Sequence, residues 1–160
     1  MKRFLPIFII FFISCSYGAS EEVESEILEA VAESTDAITE STFQYIDTSE
    51  AVVTENFTDK KTIIIFWADY WGICRRELPV VEKELANLTD EYDVIALAHS
   101  QYEPTMEWVN ENLNGQLRIG FSTPELRDYF KIVGQPISII LDTNGEIISR
   151  TYGEIDLTNF

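Results

Sequence analysis

The chain carries two thiols, Cys15 and Cys74, and a single imidazole, His99. Cys74 follows the apolar run Thr62-Ile63-Ile64-Ile65-Phe66-Trp67 after a short polar stretch, and it stands at the head of a helical pattern running from about Cys74 to Leu88. A lone thiol in that place offers nucleophilic sulfur chemistry, whose rate depends on how readily the thiolate forms. Arg75 and Arg76 adjoin it and favour the thiolate. A position inside the first helical turn works the other way: it predicts burial and a raised pKa, with the Trp71 ring over the sulfur. One histidine, one cysteine in the folded part and carboxylates without ligand spacing do not make a metal site, and no cofactor is expected. His99 reads as a polar loop residue at a strand end. Trp67 reads as core, and Tyr70 and Trp71 as surface aromatics suited to holding a peptide.

The elements that must position these residues follow from periodicity. The β-branched run 62–67 predicts a strand buried on both faces, and Val94-Ile95-Ala96-Leu97-Ala98 a second. Between them lies the helix that starts near Cys74. A second helix is expected over 104–113, opened by Pro104 with Met106, Val109 and Leu113 on one side. Leu117, Ile119 and Phe121 alternate briefly, and Thr123-Pro124-Glu125 predicts a capped helix through Phe130. Ile137 to Leu141 and Glu146 to Tyr152 then form a hairpin through Asp142-Thr143-Asn144-Gly145. Strand, helix, strand, helix, helix, hairpin implies an α/β domain, a mixed central sheet with flanking helices. Functional residues in such sheets gather beyond the carboxyl ends of the parallel strands, here after Trp67 and after Ala98.

The segment Phe66-Trp67-Ala68-Asp69-Tyr70-Trp71-Gly72-Ile73-Cys74-Arg75-Arg76-Glu77-Leu78-Pro79 resembles the active-site segment of the thioredoxin superfamily. It is most similar to the exported TlpA and ResA branch, whose pattern runs F-W-A-x-W-C-x-x-C-R-x-E-x-P. Gly134-Gln135-Pro136 resembles the family's cis-proline loop, and Ile139-Ile140-Leu141-Asp142 with Asn144-Gly145-Glu146-Ile147 resembles its closing hairpin. The resemblance spans roughly residues 60 to 153 and implies a thioredoxin-like fold. It further implies that Glu77 is an acid tuning the site, that Pro79 kinks the helix, and that Pro136 presents the backbone of Gln135 to an extended peptide. Where the family has its attacking cysteine this chain has Trp71, so C-x-x-C becomes W-G-I-C and Cys74 corresponds to the resolving thiol. Without the attacker the two-electron dithiol cycle is lost. The family usually adds a helix after the hairpin, yet this sequence stops seven residues after Gly153. Either that last helix is missing and one sheet face is partly uncovered, or the sequence is a fragment.

The amino terminus has the order of an export signal: Lys2 and Arg3, the apolar stretch Phe4 to Ile13, then small or polar residues. The stretch is about half the ~20 residues that span a bilayer as a helix. Phe12-Ile13-Ser14-Cys15 resembles a bacterial lipobox, which makes residues 1–14 a lipoprotein signal and Cys15 the lipidated first residue of the mature protein. Cleavage after Gly18 is the alternative ending. Residues 15–42 form an acidic spacer and 43–160 the globular domain. The 160 residues hold 28 acids against 11 bases, a net charge of −17. Such a balance excludes nucleic-acid binding through phosphate neutralisation and disfavours an anionic membrane surface.

These readings lead to a cell-envelope protein, exported to the bacterial periplasm or tethered through Cys15. In the favoured version it is a degenerate relative of thiol-disulfide oxidoreductases that binds client or partner peptides through Tyr70, Trp71, Gln135 and Pro136. The alternative is a single-cysteine redox accessory in which Cys74, tuned by Glu77, meets a thiol-bearing partner, as in periplasmic thiol reduction or cytochrome c maturation. A purely structural envelope protein is the third.

Overall fold

The computed structural model describes Ile38 and residues 42–155. The chain divides into two units, Met1–Thr35 and Asp36–Phe160, and the described residues belong to the second. The signal, the lipobox with Cys15 and most of the acidic spacer lie outside the described residues.

Seven strands form one sheet: β1 (Thr42–Ile46), β2 (Val52–Asn56), β3 (Lys61–Trp67), β4 (Tyr92–Ala98), β5 (Arg118–Phe121), β6 (Ile137–Leu141) and β7 (Ile147–Tyr152), in spatial order β2-β1-β5-β4-β3-β6-β7. Strands β3, β4 and β5 run parallel, while β6 lies antiparallel to β3 and β7 to β6. The expected mixed sheet with flanking helices is therefore present. A hairpin of β1 and β2 extends it beyond β5.

The central strands are apolar over most of their length because each side of the sheet is a core. Ile63, Ile65 and Trp67 alternate with Ile64 and Phe66 along β3, so successive residues enter opposite faces. The first face packs against helix α1 (Gly72–Leu88), which buries Cys74, Leu78, Val81, Leu85 and Leu88 at helical spacing, and against α2 (Tyr102–Asn112). The second face carries Phe43, Tyr45, Ile95, Leu97, Ile137, Ile139 and Leu141 under α3 (Pro124–Tyr129) and Phe130. There Phe130 meets Phe66 edge-on, with ring centroids 5.8 Å apart.

Element ends follow local chemistry. Thr123 caps α3 by accepting the Leu126 N–H at 3.1 Å, and Pro124 takes the first helical position, as expected. Helix α2 begins two residues before Pro104, so the proline does not open it. It still falls within the first turn, whose N–H groups have no intrahelical acceptor to lose. Helix α1 begins at Gly72 rather than Cys74 and contains Pro79.

In the last hairpin, Asp142 Oδ1 accepts the N–H groups of Asn144 and Glu146, both at 2.8 Å. Only Gly145 of that turn has a positive φ, 83°. Among the described residues no helix follows β7, and the expectation about a closing helix falls on residues 156–160, outside the description.

Candidate functional site

Strand register gathers the chemistry at one end of the sheet. Trp67, the last residue of β3, pairs with Ala98, the last of β4, and Ala98 pairs with Phe121, the last of β5. On the other side, Phe66 pairs with Ile137, the first residue of β6, and Ile137 pairs with Tyr152, the last of β7. Residues 68–74, 99–100, 122–123, 135–136 and 153–155 therefore leave the sheet at the same edge. The N–H of His99 bonds the Trp67 carbonyl at 2.8 Å and that of Ser122 the Ala98 carbonyl at 2.9 Å, tying these exits together.

Trp71 is the extended residue immediately before α1 and makes no side-chain cap; its N–H goes back to the Ala68 carbonyl at 3.2 Å. Tyr70 and Trp71 are exposed, 63% and 41%, as surface aromatics should be. Cys74, in the first turn of the helix, has no exposure at all and is a free thiol. Burial pushes its pKa up, and the charge of Glu77 adds to this. Hydrogen bonding from the backbone of Ala68 and of Cys74 itself opposes the shift without cancelling it.

The neighbouring arginines do not activate the thiol. Arg75 stands over the Trp108 ring at 5.8 Å, and Arg76 turns back to donate to the Gly72 carbonyl at 3.1 Å. Side chains at consecutive helical positions leave the axis about 100° apart, so adjacency in sequence did not bring these charges to the sulfur. Beside Cys74 in the same core cluster lies Trp67, fully buried against Trp108 at 5.3 Å. Its indole N–H has no partner among the described residues.

Glu77 is half-buried, and its carboxylate accepts the Ile155 N–H at 2.6 Å. Pro136 is buried and its peptide bond with Gln135 is cis, while the Pro136 carbonyl accepts the Gly153 N–H at 3.0 Å. Gln135 is partly exposed, and its backbone N–H and C=O have no hydrogen-bond partner among the described residues. Val133, two residues earlier, is 87% exposed.

His99 is exposed at the end of β4. Partial desolvation of its ring, followed by the charge of Arg127, lowers its pKa. Among the described residues no group of three or more His, Cys, Asp or Glu is placed to hold a metal ion.

Sequence reasoning missed two groups at this edge. Asp69 accepts the Thr105 hydroxyl at 3.3 Å, which in turn bonds Ser100 at 2.8 Å. Arg127 donates from one Nη1 to the carbonyl and hydroxyl of Ser122. The available signal was the end of β5. Read as a third parallel strand, Leu117 to Phe121 would have pointed to Ser122 and the helix behind it.

No protein-family model matches the sequence, and no curated protein matches it either. Solved structures do. The MTB protein dsbF, in its mixed oxidized and reduced forms, superposes with a TM-score of 0.63 at 20% identity, over 73% of this chain and 88% of that one. An exposed lipoprotein thioredoxin of Streptococcus pneumoniae gives 0.62 at 18% identity, over 72% and 92%. The thioredoxin domain of a thiol-disulfide oxidoreductase from Bacteroides vulgatus gives 0.63 at 21% identity, over 78% and 93%. The chain has the thioredoxin-like fold.

Proposed function

We propose that this protein is an envelope-located thioredoxin-fold module that binds client or partner peptides without dithiol turnover. The observation that carries the reading is a contrast at one sheet edge: the thiol of Cys74 is sealed and its ionisation disfavoured, while Tyr70 and Trp71 are exposed and the backbone of the partly exposed Gln135 has no hydrogen-bond partner among the described residues. An extended peptide laid along Gln135 would use its unpartnered N–H and C=O as a strand uses a neighbour, with the two aromatics supplying apolar contact. Trp71 takes the place the family gives to the attacking cysteine, so binding surface has replaced the nucleophile. Location outside the cytoplasm rests on the signal-like amino terminus and on likeness to a structure described as an exposed lipoprotein thioredoxin. Cys15 would then supply the membrane tether.

The test is binding of extended, cysteine-free peptides to the full chain, followed by calorimetry. Binding should survive Cys74→Ser and weaken about tenfold or more in Trp71→Ala, the scale of a buried aromatic anchor. Loss of binding in Cys74→Ser would transfer the function to the sulfur. A second reading, single-thiol redox assistance to a thiol-bearing partner, is favoured by likeness to a thiol-disulfide oxidoreductase domain. It requires a mixed disulfide with Cys74 in the folded protein, and its absence on incubation with an oxidised small-molecule disulfide would remove it.

A further inference from the structure

Arg127 is a partly buried guanidinium without a counter-ion among the described residues, in a chain of net charge −17. The ion pairs among the described residues are Lys61–Glu91 and Arg118–Glu55, and neither involves it. The acids nearest in its electrostatics, Asp128 and Glu125, are exposed residues of its own helix that do not bond it. One nitrogen, Nη1, is anchored on the carbonyl and hydroxyl of Ser122. The edge formed by Nη2 and Nε remains free among the described residues, and that edge matches a carboxylate bidentately.

The anchor also fixes what lies beside it. The N–H and the hydroxyl of Ser122 both donate to the Ala98 carbonyl, at 2.9 and 3.1 Å, and His99 is the next residue. The His99 imidazole has no hydrogen-bond partner among the described residues and feels the charge of Arg127. Ile95 and Leu97 point to the second sheet face, so strand alternation sends His99 to that same side, where α3 carries Arg127. Gln135 lies at the same end of the sheet, two residues before Ile137, the first residue of β6.

Strand β3 alone separates the end of β4 from the start of β6. At about 4.8 Å per strand the two exits are about 10 Å apart, the reach of about three residues of extended peptide. We propose that Arg127 and His99 form a subsite for a carboxylate carried by the bound client peptide, about three residues from the residue that pairs with Gln135. This rests on the client-binding reading above and adds to it the class of client, one with Asp or Glu at that spacing.

The probe is a pair of cysteine-free extended peptides that differ only by Glu or Gln three residues from the centre, titrated into the full chain at low and high salt. The Glu peptide should bind about fivefold more tightly at low salt, as a partly exposed ion pair allows, and the preference should shrink as salt rises. It should disappear in Arg127→Gln and fall in His99→Gln. The second variant alters an exposed, unbonded side chain and keeps the test decisive should loss of the Ser122 anchor unfold the first. Equal binding of both peptides to the wild type overturns the subsite and leaves client binding standing. Binding of neither overturns both.

Discussion

The carboxylate of Glu77 accepts the backbone N–H of Ile155 at 2.6 Å, joining the first turns of α1 to the chain beyond the last strand. Two residues earlier Gly153 bonds the Pro136 carbonyl. The stretch after β7 is thus held both to the helix that bears Cys74 and to the loop that bears Gln135, and Ile155 packs on the core cluster containing the thiol. Glu77 therefore acts on Cys74 twice, by its charge and by pinning this strap. The two effects separate by substitution. In Glu77→Gln the amide oxygen still accepts the Ile155 N–H and only the charge is lost; in Glu77→Ala both go. Alkylation of native Cys74 should accelerate about tenfold in Glu77→Ala, at the low end of what a hydrogen bond to a charged group contributes, and much less in Glu77→Gln. Equal rates in wild type and Glu77→Ala would show that the strap does not guard the sulfur.

Burial gives Cys74 a second measurable signature. Because its pKa is raised in the fold, the native thiol stays protonated where the unfolded one, at about 8.5, has begun to ionise. Its contribution to stability is therefore complete below the unfolded value and declines as pH rises through that value toward the folded one. Urea melts of wild type and Cys74→Ala should differ by a constant amount up to about pH 8 and converge above it. Iodoacetamide should label the native thiol on the order of a hundredfold more slowly than the denatured one, since reaction awaits local opening. Labelling at the denatured rate would mean an accessible sulfur.

Strands β3, β4 and β6 were legible because a sheet covered on both faces demands largely apolar runs, and the main other such run, Phe4 to Ile13, is set apart by the order of an export signal. Burial of Cys74 was legible from its place in the first turn. The hairpin of β1 and β2 was not. In TFQYI buried residues alternate with half-buried ones and in VVTEN half-buried with exposed ones, and the polar outward positions merge with the acidic tract before them. Arg127 and Ser122 were illegible for a different reason: β5 is four residues long, and the pairing that makes it parallel to β4 is tertiary. The charges beside Cys74 in sequence were visible and misleading, since Arg75 and Arg76 are spent on Trp108 and on Gly72.

Gly145 is needed for two independent reasons. Its φ of 83° disfavours any side chain, and a Cβ there would collide with the Phe57 ring, which stacks on Phe43 at 5.6 Å over the second face. Gly145→Ala should cost about 3 kcal/mol, combining the left-handed penalty with overpacking. Placed on Phe57→Ala the same change should cost about 1–2 kcal/mol, because only the backbone term remains. Additive costs in the urea-melt cycle would mean that Phe57 yields freely.

Glu82 is the one buried carboxylate among the described residues, facing the first core from α1. It accepts the N–H groups of Asn114, Gln116 and Leu117 at 2.7, 2.8 and 3.1 Å and the Asn114 amide at 3.3 Å, clasping the turn that delivers β5 to the sheet. Burial pushes its pKa up, but these donors outweigh it and the net shift is downward. A depressed carboxyl stabilises the fold above its unfolded value, about 4.3, and that contribution is lost as pH falls through the folded one. Glutamine in its place keeps one acceptor and turns a donor toward N–H groups. Glu82→Gln should therefore cost about 3 kcal/mol at pH 7 in urea melts, with the deficit narrowing below about pH 4 as the wild-type carboxyl takes up its proton. A deficit independent of pH would mean that the charge on Glu82 contributes nothing beyond its shape. Because the clasped turn feeds β5, whose end sets Ser122 and Arg127, the same variant should weaken the Glu-over-Gln peptide preference while leaving Cys74 protected.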